Sequence, residues 1–407
     1  MVATLRGAFG MTGSVPRSVL VVSDLHLSRR ACGAGAALAE LLGRHPEHEL
    51  LVAGDFFDLA FDPPHKDSAE SIEEILRCHS KLCASLSERL GRGVPVTLLA
   101  GNHDAAVASS ETRLRLTQVL ELPTSTPLTT FPWFVRRSGV HIEHGHFYDP
   151  DNAPNHPLSL WSPRTEPLGV AMTRRFVAPN QAMMFAGAYQ VTPLAGLVQV
   201  LSEYRFRAPL VIANYFATAG GLCLRAHTER ATMVAESALG AQVLTEHSRA
   251  LGVPACDLQA LLGGGARPTH HGFRTTFMRL YFDRIFAALG TAAGLGTAVL
   301  GHPQGLLVAA LGAAYLIASV QRHGSRYQDL PGERLRRAAH QVLEATDATS
   351  VIFGHTHVED TSPGYLNLGS FAFSEHGPFS EQGRRPYAEI DPSGRVTRRW
   401  FTSDSQL

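Results

Sequence analysis

The 407-residue sequence predicts an α/β protein split by a large, mostly helical and hydrophobic insertion. Three observations carry that prediction. Short apolar runs of strand length recur, each closing on polar residues able to bind a metal. Segments with helical period lie between them. Beyond Pro150 the pattern gives way to long uncharged stretches, separated by a normally charged, amphipathic stretch from Arg225 to Arg284, before an ordinary amphipathic helix begins at Pro331.

Taken in order, Met1 to Arg17 shows no basic head followed by an apolar core, so no secretory leader is expected. Ser18 to Val22 reads as a buried strand ending in Ser23-Asp24-Leu25-His26, and Ala36 to Leu42 as a short helix. Glu49 to Ala53 is a second strand, closing on Gly54-Asp55-Phe56-Phe57-Asp58. Ile72, Ile75, Leu76, Leu82, Leu86 and Leu90 then recur at helical spacing, stopped by Gly91 and Gly93. Val94 to Ala100 is a third strand, delivering Gly101-Asn102-His103-Asp104, and Val140 to Glu143 a fourth, delivering His144-Gly145-His146. After the helix Pro331 to Ala345, whose Leu335, Ala339, Val342 and Leu343 share a face, a fifth run from Val351 delivers Gly354-His355-Thr356-His357. Tyr387 to Phe401 reads as two strands around an Asp391-Pro392-Ser393-Gly394 turn.

On an extended backbone residues i and i+2 share a face. Asp24 with His26, and His355 with His357, are therefore each expected to aim at one place. Neutral imidazole is the commonest protein metal ligand, and ligands in open α/β sheets gather beyond the carboxyl ends of strands. Any one of these residues could be a turn former or a cap. The whole set, in this order and with glycines beside it for close backbone approach, is not what core packing alone produces.

The blocks Asp24-Leu25-His26, Gly54-Asp55 with Asp58, Gly101-Asn102-His103-Asp104, His144-Gly145-His146 and Gly354-His355-Thr356-His357 resemble the calcineurin-like metallophosphoesterase superfamily. Tyr365-Leu366-Asn367-Leu368-Gly369-Ser370 resembles that family's closing strand and turn. The resemblance implies a four-layer α/β/β/α sandwich with two divalent metal ions at one edge. One ion would be held by Asp24, His26, Asp55 and His357, the other by Asp55, Asn102, His144 and His355. A shared carboxylate such as Asp55 is what two neighbouring cations need between them. Donors of imidazole, carboxylate and amide oxygen without thiolate suit manganese, with iron or zinc as alternatives. The resemblance makes His103 the group that faces the substrate or protonates the leaving oxygen. Asp104 is expected to orient it, Asp58 to accept a hydrogen bond outside the ligand set, and His146 to be either an outer partner or an exposed loop residue.

Three segments are expected: a first part of the core over residues 17–149, the helical insertion over 150–344, and a second part of the core over 345–407. The run Asp149-Pro150-Asp151-Asn152-Ala153-Pro154-Asn155-His156-Pro157 opens the insertion as a turn-rich loop. Residues 180–202, 208–224 and 285–320 carry no formal charge, so membrane contact through 180–224 and 285–320 is expected. His302-Pro303-Gln304 divides the last stretch into two arms, each marginal against the roughly 20 apolar residues of a span. Gly290, Gly294 and Gly296 on one arm, with Ala309, Gly312 and Ala313 on the other, would allow close helix approach. Because ligand blocks flank the insertion, the chain would cross any membrane an even number of times. Arg279, Arg284, Arg322 and Arg326 put positive charge at both ends of such a hairpin. An all-α cap with no membrane contact is the alternative.

A formal net charge of zero leaves no field to attract nucleic acid. Five cysteines at irregular spacing fit a reducing compartment rather than a disulfide framework. The expected function is a metal-dependent phosphoric ester hydrolase. Its substrate would be a phosphorylated small molecule or lipid at the cytoplasmic membrane face, with the chain peripheral or hairpin-anchored there. The opening block and the helical insertion resemble in part the UDP-2,3-diacylglucosamine pyrophosphatase family, in which inserted helices hold acyl chains over the metals. That family has arginine where this chain has His103, aspartate where it has His146, and a much shorter lid. A soluble phosphomonoesterase or phosphodiesterase with a helical cap is the alternative, and a non-catalytic scaffold would be expected to have lost ligands.

Overall fold

The computed structural model describes residues 17–29, 33–123, 125–181, 193–323, 331–372 and 383–403. The sequence readings made for residues 1–16, for 182–192 within the apolar stretch, for Arg326 and for residues 404–407 lie outside these. The described strands are β1 (Val19–Val22), β2 (Glu49–Ala53), β3 (Val96–Leu99), β4 (Leu128–Phe131), β5 (Phe134–Arg137), β6 (Val140–Glu143), β7 (Ser350–Phe353), β8 (Glu359–Ser362), β9 (Tyr365–Leu368), β10 (Arg385–Ile390) and β11 (Val396–Phe401).

They form two sheets. The first is ordered β11-β10-β1-β2-β3-β4, with β1 to β4 parallel; the second is ordered β5-β6-β7-β9-β8, with β6, β7 and β9 parallel. Parallel strands covered on both faces read as continuous apolar runs, which is why Val-Leu-Val-Val of β1 shows no polar alternation. Alternate residues nevertheless face opposite layers. Leu20, Val22, Leu50, Val52 and Leu98 pack toward the helices Gly33–Arg44, Ser68–Arg77 and Ser80–Gly91. Val19, Val21, Leu51, Ala53 and Leu99 meet Val135, Val140, Ile142, Ile352 and Leu366 of the second sheet. The far face of that sheet, with Phe134, Val351, Phe353 and Tyr365, is covered by Leu258 and Leu261 of the helix Ala255–Gly264 and by Leu335, Ala338 and Val342 of the helix Pro331–Ala345. The result is the α/β/β/α layering expected.

The chain divides into two compact units. One comprises residues 1–170, 232–268 and 331–407; the other comprises 171–231 and 269–330. Boundaries read from the sequence at 149/150 and 344/345 differ from this division. Residues 150–170, 232–268 and 331–344 belong to the layered unit, because the outer face of the second sheet is apolar and draws its cover from within the insertion. Asn155 and Thr165 add to the joint by bonding Glu236, at 2.5 and 2.6 Å.

The second unit is helical: Pro193–Tyr204, Ala208–Thr228, Phe273–Arg279, Phe282–Val299 and Gly305–His323. Its last two helices pack on small residues. A Cβ on Gly294 would stand 2.6 Å from the backbone of Gly305 and Ala309, and one on Gly312 2.7 Å from the Ala287 carbonyl. Gly290 and Gly296, also expected in that contact, instead face open space.

Leu258→Ala tests the assignment of 232–268. It should destabilise the layered unit by about 2–5 kcal/mol and lower hydrogen-exchange protection of β6 and β7 amides. Loosening confined to 232–268 would return that segment to an independent insertion.

Candidate metal centre

The five polar blocks leave the carboxyl ends of β1, β2, β3, β6 and β7 and converge. Their backbone is not extended there. Asp24, His26, Asp55, His355 and His357 all have positive φ, between 47° and 70°, a region non-glycine residues seldom enter. The face-sharing argument made for an extended chain therefore does not apply: His355 and His357 serve different parts of the site. The strained loops are held by one another. Asp24 N–H donates to the Gly54 carbonyl, His26 N–H to the Asp55 carbonyl and Asp58 N–H to the Leu27 carbonyl, at 3.1, 3.0 and 2.9 Å. Two glycines make the approach feasible. A Cβ on Gly101 would sit 2.1 Å from Asp55 Oδ1, and one on Gly354 1.9 Å from Ser23 Oγ.

The first group is Asp24, His26 and His357. The two imidazole Nε2 atoms stand 2.9 Å apart, and Asp24 Oδ1 is 3.1 Å from His357 Nε2 and 3.8 Å from His26 Nε2. The other Asp24 oxygen is engaged, accepting from Ser23 Oγ at 2.5 Å and His355 N–H at 3.0 Å. The second group is Asp55, Asn102 and His144. His144 Nε2 is 3.3 Å from Asp55 Oδ2 and 3.0 Å from Asn102 Oδ1, while its Nδ1 bonds the Ala53 carbonyl at 2.9 Å. Asp55 belongs to both groups, since Oδ2 is also 3.8 Å from His26 Nε2; Oδ1 accepts from His103 N–H at 2.8 Å. His355 lies beside the second group, its ring 5.2 Å from that of His144, with Nε2 3.0 Å from Asp149 Oδ2.

Asp24 and Asp55 are both buried. Burial favours their neutral forms, but His144 and the neighbouring imidazoles outweigh it and hold both carboxyls well below the usual range. The reciprocal effect, working against burial, pushes His26 up to about 9, mainly through Asp24 and Asp55, and His144 up to about 10, mainly through Asp55 and Asp24. The pocket thus demands positive charge, and Asp24 Oδ1 is a buried oxygen with no hydrogen bond. Divalent cations fit that demand. They supply the charge and leave the imidazoles neutral as ligands. Asp24, His26, His357, Asp55 and His144 form the clusters close enough to ligate, as does His103 with His26 and Asp55.

Asp104 does not take the expected place beside His103. Its carboxylate accepts backbone N–H groups from Gly101, Phe56 and Phe57 at 2.8, 2.8 and 3.1 Å. It ties the loops after β2 and β3 together, and burial with the charge of Asp55 pushes it up to about 7. The carboxylate that meets His103 Nδ1 is Asp58, at 2.7 Å. Both Asp104 oxygens are committed to backbone N–H groups of the loops after β2 and β3, so it is Asp58, on the neighbouring loop, that is placed to orient His103. His146 is buried with Nδ1 unpartnered, its ring 5.3 Å from His144; it is not an exposed loop residue. Asp149, assigned to a turn, reaches His355, and the Asx-rich run directly after the fourth block was the available signal.

The calcineurin-like phosphoesterase family matches residues 17–213. No curated protein matches the chain. The family match includes the first four blocks but not Gly354-His355-Thr356-His357, whose place in the site comes from the geometry above. A calcineurin-like phosphoesterase domain with these donors indicates a metal-dependent phosphoric ester hydrolase, and the family implies two divalent metals.

Asp55→Ala should abolish retention of both metals and activity together, measured as metal content after dialysis. Retention of even one tightly held ion would remove Asp55 from its shared position. Gly354→Ala, which forces a Cβ against Ser23 and Asp24, should lower metal content without replacing a ligand residue; unchanged content would show that the loop can give way.

Proposed function

We propose that this calcineurin-like phosphoesterase domain hydrolyses a phosphoester or pyrophosphate bond in an amphiphilic or lipid-linked substrate at the cytoplasmic face of a membrane, with manganese as the metal. The hydrolytic part rests on one observation above others: Asp55 Oδ2 stands between His26 and His144, within 3.8 and 3.3 Å of their Nε2 atoms. When bound, two divalent cations activate a water as nucleophile and neutralise charge on the phosphoryl oxygens. Asp24, His26, Asp55 and His357 would hold one; Asp55, Asn102, His144 and His355 the other.

The protein's own part in proton transfer falls to His103. Asp58 can only accept, so the 2.7 Å bond puts a proton on His103 Nδ1 and leaves Nε2 for the substrate. With Nε2 protonated as well, the imidazolium gives that second proton to the departing oxygen and is left as the neutral imidazole whose Nδ1–H stays on Asp58. The backbone N–H of the same residue orients Asp55, so acid and central ligand are fixed by one turn. His103 and Asp58 keep side-chain exposures of 17 and 15%, against zero for His144, which gives a phosphoryl group an approach from their side.

The amphiphilic part rests on the second unit. Phe282–Val299 and Gly305–His323 have 18 and 19 residues, each about 27–29 Å long against a hydrocarbon core of about 30 Å. Gly305–Arg322 is long and apolar enough to cross a membrane, with 17% of it buried. Leu289, Leu306, Leu307, Leu311 and Ile317 are exposed, and the tip residues Val299 and Leu300 are 86 and 78% exposed. Charges stand at the open end, in Asp283, Arg284 and Arg322. A pair joined by a turn with both ends on one side agrees with a hairpin dipping into lipid and does not require a single span.

His103→Ala should keep both metals and lower kcat by about 10²–10⁴-fold on substrates with poor leaving groups; normal turnover would remove His103 from acid catalysis. Leu300→Asp should reduce flotation with anionic phospholipid vesicles and lower activity on a lipid-linked phosphate, while activity on a water-soluble aryl phosphate stays. Loss of both activities alike, or no vesicle binding by the unaltered protein, would favour a soluble phosphatase with a helical cap.

A further inference from the structure

We propose that Asp149 is a positioning residue for two ligands of the second cation at once, acting directly on His355 and through Asn152 on Asn102. The inference rests on the two-cation reading above and assigns the device that aims that cation's ligands.

The argument starts from what a carboxylate can do, which is accept and never donate. Asp149 Oδ2 lies 3.0 Å from His355 Nε2 and 2.7 Å from Asn152 Nδ2. His355 must therefore carry its proton on Nε2, which leaves Nδ1 as the only lone pair the ring can offer a metal. Asn152 must likewise turn its amide nitrogen toward Asp149, and its oxygen then faces Asn102, 3.3 Å from Nδ2. That donation sets the second amide. Asn102 presents Oδ1 on the side of the site, where it stands 3.0 Å from His144 Nε2. With the Asn102 amide reversed, an NH₂ group with no lone pair for a cation would face the metal instead.

The relay is built firmly. Asp149 Oδ1 accepts from Asp151 N–H at 3.0 Å, and the Asp149 carbonyl accepts from the N–H groups of Asn152 and Ala153. Asn152 fits only because residue 169 is glycine, where a Cβ would come within 2.3 Å of Asn152 Oδ1; Gly169 N–H in turn bonds the Asp151 carbonyl at 2.8 Å. Asn102, Asp149, Asn152 and His355 are all buried, so water does not compete for these bonds. A metal-bound histidine commonly donates its other N–H to a carboxylate. Here the same anion also polarises an amide ligand, so one residue decides which atom each of two loops turns to the ion.

Two measurements test this. In metal-free protein, at a pH where the rings are neutral, ¹⁵N-histidine NMR should show His355 as the Nε2–H tautomer, and Asp149→Ala should populate the Nδ1–H form. An Nδ1–H tautomer in the unaltered protein, or no change in the variant, overturns the direct arm. For the indirect arm, Mn²⁺ binding by equilibrium dialysis should show Asn152→Ala weakening the second ion by about 10–100-fold with the first unaffected. Asn102→Asp presents an oxygen whichever way it turns, so Asn152→Ala should have no further effect in that background. Equal weakening in both backgrounds, or none in either, overturns the relay to Asn102. Should the unaltered protein bind only one Mn²⁺, the two-cation reading fails in that measurement itself. The tautomer measurement, made without metal, still decides whether Asp149 sets His355.

Discussion

Two carboxylates buried side by side at the ends of neighbouring parallel strands set the terms for everything around them. Asp24 and Asp55 sit where the apolar seam between the sheets ends, and an uncompensated charge there would cost several kcal/mol. Each commits one oxygen to the protein, Asp24 to Ser23 and the His355 N–H, Asp55 to the His103 N–H, and turns the other toward imidazoles. The second oxygens are what demand positive charge. Protonated imidazoles answer that demand in part; divalent cations answer it while keeping the imidazoles as neutral donors.

Holding those oxygens in place needs backbone geometry that no single loop would adopt alone. Five residues of the candidate metal centre lie in left-handed conformations, each of which costs of order 1 kcal/mol or more for a side-chain-bearing residue. The strain is supported by main-chain bonds between the loops after β1 and β2 and by Asp104, which gathers N–H groups from the loops after β2 and β3. Asp104 thus matters to the centre through the backbone it ties, and His103 finds its carboxylate on the neighbouring loop. Short, strongly packed strands lead into each strained turn. This is how side chains with few rotatable bonds reach a common point.

The two units use their helices in opposite ways. In the layered unit, the helices bury large aliphatic residues such as Leu38, Leu41, Ile72 and Leu335. In the other, the contact between Phe282–Val299 and Gly305–His323 is made by Gly294, Gly305, Gly312 and Thr291, while leucines and valines on both helices stay exposed. Water penalises that arrangement and a lipid interior does not, because lipid gives large aliphatic side chains no reason to turn inward.

Strand-length apolar runs, the glycines beside them and the succession of aspartate, asparagine and histidine at their ends were legible in the amino-acid order, because period and residue chemistry are local properties. They determined the α/β layering, the donor types and the convergence of the five blocks. Which carboxylate serves His103, how far Asp149 reaches, why His355 and His357 part company and which portion of the insertion covers the second sheet were decided only by tertiary structure. The parting of His355 and His357 follows from left-handed backbone in their own loop; the others depend on the distance between segments far apart in sequence. That distance is set by how two twisted sheets pack, and no spacing along the chain records it.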